Sequence, residues 1–139
     1  MFLSNFCLIA LAVFALPASI VAQARYTVHD LSTLGKPGTF AKALNKKGEV
    51  VGTGTTAAGQ SHAFRTAANH PINSATDDLG TLGGATSFAD DINDLEQVVG
   101  SSQISASDLF PRAFRTGPNL PINPATDNLG TFPGPPQSV

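Results

Sequence analysis

The densest group of potential metal ligands in this 139-residue sequence is Asp90-Asp91-Ile92-Asn93-Asp94. Three carboxylates and an amide oxygen are the hard donors that calcium takes, so Asp90, Asp91, Asn93 and Asp94 are weak candidates for an ion site. The D-x-[DN]-x-[DN]-G order is missing, and a solvated turn explains the same residues more simply. Three His (His29, His62 and His70) and the lone Cys7 supply little material for a zinc site. No G-x-S-x-G elbow, H-E-x-x-H pair or Walker loop occurs, so hydrolysis would need His62 or His70 to meet a Ser and an Asp through folding alone. Asp77, Asp78 and Asp127 read as Asx residues that bond nearby backbone. The residue types therefore assign no catalytic group and imply no cofactor.

Charge excludes another class. Eight Lys and Arg stand against ten Asp and Glu, a net charge of -2, which offers phosphates no basic footprint and excludes an electrostatic nucleic-acid binder. Trp is absent and Tyr occurs once, while Gly and Pro number 13 and 10, a mix that favours short strands and many turns.

The N-terminal segment reads as an address. Phe6 to Leu16 is an unbroken run of 11 apolar residues, much shorter than the roughly 20 a membrane span needs. That is the length of a signal-peptide core, and Ala22-Gln23-Ala24 offers a cleavage site before Arg25. Residues 1–24 are expected to be removed, leaving 115 of the 139 without cysteine, secreted and with no later membrane span.

The remainder repeats itself. A shift of 48 places Asp30-Leu31 on Asp78-Leu79, Thr33-Leu34-Gly35 on Thr81-Leu82-Gly83, Phe40-Ala41 on Phe88-Ala89, and Val50-Val51-Gly52 on Val98-Val99-Gly100. After a two-residue insertion, a shift of 50 aligns 62–82 with 112–132 at 14 of 21 identical positions. The chain thus divides into 1–24, a first unit 25–77, a second unit 78–127, and 128–139, which opens a third and ends in a Pro/Gly-rich tail expected to be mobile.

Local pattern makes each unit mostly strand. Strands are expected near 39–45, 49–54, 60–66 and 76–82, then near 87–93, 97–102, 111–116 and 126–131. Asn45-Lys46-Lys47-Gly48 is a hairpin signal in which Gly supplies the positive φ of a bulged type I turn. The second copy puts Glu96 in that place, so its turn must be strained or differently shaped. Phe40 with Phe88, and Phe64 with Phe114, recur at matched positions and are assigned to core slots; exposed binding aromatics are the alternative.

His62-Ala63-Phe64, the Leu79–Gly84 run, Ile92-Asn93-Asp94 and the two Val-Val-Gly triplets resemble the HAF-repeat family of extracellular bacterial proteins over about residues 26–132. The resemblance implies secretion and a tandem, propeller-like β repeat, and it carries no catalytic residue across. Arg112 replaces the first residue of the tripeptide in the second unit, which argues against a role requiring His62.

The expected architecture is all-β, about two incomplete propeller-like or kelch-like blades, with a β-solenoid as the other choice. The expected role is a non-catalytic interaction or surface-structural module binding an unidentified extracellular protein or glycan. A calcium-dependent adhesion module and a divergent extracellular hydrolase are the alternatives. Two units leave strand edges and an apolar face uncovered, so either self-association or partial disorder with non-cooperative unfolding is expected.

Overall fold

The computed structural model describes residue 25 and residues 27–131. The signal-peptide reading and the mobile-tail reading from Pro133 onward lie outside the described residues. Six strands form: β1 (Lys36–Leu44), β2 (Val50–Thr55), β3 (Ser61–Arg65), β4 (Ser87–Ile92), β5 (Val98–Ser102) and β6 (Arg112–Arg115). They make two antiparallel three-stranded sheets, ordered β1-β2-β3 and β4-β5-β6. The fold is all-β, and the described residues contain neither a helix nor a closed barrel or propeller.

Each first hairpin is set by one asparagine. Asn45 Oδ1 accepts the N–H groups of Lys47 and Glu49, both at 3.1 Å, and Asn93 Oδ1 accepts those of Leu95 and Gln97, both at 3.0 Å. Side-chain oxygens thus hold the turn that the backbone would otherwise have to close alone. Gly48 has φ 83° and Glu96 has φ 65°, so the second turn keeps the shape of the first and forces a glutamate into the left-handed region.

Both outer hairpin strands carry a bulge, between Ala41 and Ala43 in β1 and between Ala89 and Asp91 in β4. Pro37 sits inside β1, beyond the strand start expected near 39. It is tolerated because β1 pairs only with β2 and leaves its other edge free of ladder bonds.

The fourth strand of each unit shrinks to a single bridge. Phe64 pairs with Asp78 and Phe114 with Asn128, flanked by bonds such as Leu79 N–H to the Ala63 carbonyl at 2.9 Å. The segment 76–82 cannot extend further because a turn from Asn73 to Asp77 precedes it and Gly80, at φ 73°, ends it.

The sheets stack. Val51 and Ala63, with half-buried Ala43, present one face of the first sheet to Leu79, Leu82, Ala89, Ile92, Val98, Phe114 and Ile122 of the second unit. A smaller cluster of Leu34, Phe64 and Ile72 lies on the other face of the first sheet. Phe64 and Phe114 are fully buried at matched positions, as expected. Phe40 and Phe88 correct the core assignment: both are exposed, Phe40 by 67%. Phe40 lies opposite Thr53, on the same face as Val51 and Ala63, but on the edge strand, where the second sheet leaves it uncovered.

Candidate functional site

The repeat places polar side chains at three matched locations. The first is the loop after β3. Asn73 N–H donates to Asp77 Oδ2 at 2.8 Å and Thr76 donates to Asp77 Oδ1 at 2.9 Å; Asn123, Thr126 and Asp127 repeat the arrangement at 2.8 and 3.0 Å. The carboxylates of buried Asp77 and Asp127 are therefore spent on their own loops, as Asx residues are. Ser32, His70, Asn73 and Asp77 border a shallow cavity of about 500 Å³ beside the first loop. His70 Nδ1 there contacts the Ala68 carbonyl at 2.7 Å.

The second location joins β3 to its bridge segment. His62 Nδ1 lies 2.9 Å from both Asp78 oxygens, and Asp78 Oδ1 also accepts the Gly80 N–H at 2.8 Å. A carboxylate at the Nδ1 nitrogen fixes the orientation of an imidazole ring, as it does in many structural His–Asp contacts. No serine hydroxyl is hydrogen-bonded to the His62 ring among the described residues. The second unit keeps the scaffold and changes the chemistry: Arg112 stands at the His62 place, 3.7 Å from Asp108, and Asn128 stands at the Asp78 place.

The third location is the seam between the hairpin turns. Lys46 Nζ lies 2.9 Å from Asp94 Oδ2, the Lys46 N–H donates to Asp94 Oδ1 at 3.1 Å, and Lys47 pairs with Glu96. Arg65 reaches across to donate to the Glu96 carbonyl at 3.2 Å and to Asn119 Oδ1 at 2.7 Å. Sequence reasoning missed this seam. Its only trace was the exchange of Lys46-Lys47 for Asp94-Leu95 at the 48-residue shift, which signals opposite charges in stacked turns.

The acidic candidates are dispersed by the same geometry. Asp94 is committed to Lys46, Asn93 Oδ1 to its turn, and Asp91 Oδ1 to the Ile92 N–H at 2.8 Å. Asp90 is exposed on β4, next to the bulge. No group of three or more His, Cys, Asp or Glu side chains converges among the described residues.

The hydrogen bond from the Lys46 ammonium, with that from its backbone N–H, holds the Asp94 carboxyl below its ordinary 3.8. The same side-chain bond holds Lys46 above 10.5. A depressed carboxylate contributes stability that is complete above 3.8 and lost as pH falls through the lower folded value. A raised lysine contributes below 10.5 and loses that contribution as pH rises through its folded value. The pair is exposed and screened, so the effect is small. Thermal midpoints measured against pH should fall at the acid limit, and Asp94→Asn should flatten that part of the fall; an unchanged acid limb would show that the pair is not formed.

No family model, curated protein or solved structure matches the chain.

Proposed function

We propose that the chain is a secreted, non-catalytic repeat protein of the HAF-repeat kind, an interaction or surface-structural module whose sheets are incomplete propeller-like blades. The observation that carries the reading is the pair Phe40 and Phe88, matched by the repeat and exposed. A ring kept at the same place in two units without being buried there is available for contact with an extracellular protein or glycan. The blade reading is supported by strand order, since each three-stranded meander continues into a bridge at Asp78 or Asn128. The divergence of the chemically active positions, His62 to Arg112 and Asp78 to Asn128, supports a scaffold role over a reaction repeated in each unit.

Electrophoresis through gels containing different polysaccharides, together with passage over immobilised extracellular proteins, should show retention by at least one ligand. Retention should be lost in the Phe40→Ala, Phe88→Ala double variant with little change in melting temperature. A double variant retained as strongly as the parent would refute this surface. The His62–Asp78 contact favours a second reading, a divergent hydrolase. Hydrolytic activity that disappears in His62→Ala would establish it in place of the first.

A further inference from the structure

The seam between the two sheets is built from one face of each unit, and the opposite faces are left at the two ends of the stack. Val51 is 0% exposed in the seam while its counterpart Val99 is 38% exposed. Leu79 is 3% exposed and its counterpart Leu129 is 58% exposed. On the other end, Ala41 and Leu44 are exposed whereas Ala89 and Ile92, their counterparts, are buried by the first sheet. Among the described residues, the exposed surfaces are therefore the two halves of the seam, one on each sheet.

The polar groups match as well. In the seam, the Ala63 N–H donates to Ser87 Oγ at 2.8 Å. The counterpart of Ser87 is Thr39, whose Oγ1 is buried and has no hydrogen-bond partner. The counterpart of Ala63 is Ala113, exposed on β6 opposite Ser101. Likewise Arg65 is held in the seam by the Glu96 carbonyl and Asn119, while its counterpart Arg115 is exposed. The groups corresponding to those acceptors are the Gly48 carbonyl and Asn69, which border a groove of about 370 Å³ with Leu31, Leu44 and Val50.

We propose that the exposed face of β5 and β6 docks head to tail onto the groove of a second copy, Val99 entering the groove and Arg115 binding the Gly48 carbonyl and Asn69. The occupant is a second copy because the chain already contains this interface once, between its own units. The contact is heterologous, so it leaves a free end after every addition and does not stop at two. Phe88 shares this face, paired with Ser101, so association is measured on the chain alone, where ligand retention plays no part.

Sedimentation velocity on the purified full chain over a range of concentrations tests it. The parent should grow beyond a dimer with concentration. Arg115→Glu, which blocks one end, and Leu44→Asp, which blocks the other, should each weaken association at least about thirtyfold, the loss expected for an interface anchor. Neither residue lies in the intrachain seam. Mixed together, the two variants should form a dimer and nothing larger, since one intact groove meets one intact face. Leu129→Asp and Ala41→Glu replace them if either fails to give a sharp thermal transition. A parent that stays monomeric, association unaffected by the variants, or a mixture that stays monomeric would each overturn the proposal.

Discussion

Phe114→Ala should lower stability by about 3–5 kcal/mol, with Phe64→Ala falling toward the lower end of that range. Both rings are fully buried in matched strands, so both lose the same transfer free energy. They differ in what surrounds the void. Phe114 belongs to a cluster drawn from both units, with Leu79, Leu82, Ile92, Val98 and Ile122 fixed by the seam. Phe64 packs with Leu34 and Ile72 beneath half-buried Leu31 and Val50 at the open end, where side chains have room to collapse. The cost of a cavity depends on such collapse. Urea midpoints at constant slope measure the difference. Phe40→Ala is the control and should leave the midpoint nearly unchanged; equal losses at Phe40 and Phe64 would contradict the exposure of Phe40 on the edge strand.

Gly100→Ala and Gly52→Ala should each cost on the order of 3 kcal/mol, from a clash rather than from a void. A methyl group at Gly52 would run into the Phe40 carbonyl oxygen, and one at Gly100 into that of Phe88. Those oxygens belong to the backbone beside the bulges, so they cannot turn away as the end of a side chain could. Relief requires the bulge to shift, and a shift of one residue would exchange the faces of the strand beyond it. Gly80 provides the comparison. It has φ 73° and nothing within 4 Å of where a Cβ would lie, and serine already occupies the same turn position at Ser32, with φ 65°. Gly80→Ser should therefore be the mildest of the three. If Gly52→Ala and Gly80→Ser unfold at the same urea concentration, close approach is not the reason for glycine in the Val-Val-Gly triplets.

The all-β class, the positions of the six strands and the asparagine-held hairpins could be read from residue order, because they depend on interactions within a few residues or on a repeat visible by alignment. The alternating period also makes Val50 and Val51 point to opposite faces. Nothing local says which face the neighbouring sheet will cover. Recurrence alone could not separate Phe64, which is buried, from Phe40, which is not, since both recur with equal fidelity. The turn at Glu96 shows the same limit. Local sterics disfavour a glutamate there, yet contacts from Lys47 and Arg65 across the seam, with the Asn119 N–H of its own unit, hold it in the glycine conformation.

By itself, the sequence determined that this protein is built from two similar β units and where their strands turn. Only the tertiary structure decided that the fourth strand shortens to a bridge, that His62 meets Asp78, that Asp94 is claimed by Lys46, and that among the described residues two matching half-seams remain exposed, one on each sheet. The physical reason is the range of the forces involved. Turn chemistry and strand alternation act over a few residues, whereas the ion pairs of the seam join residues 48 and 49 positions apart and its hydrogen bonds join residues 24 to 54 apart, whose meeting is set by how one sheet lies on the next.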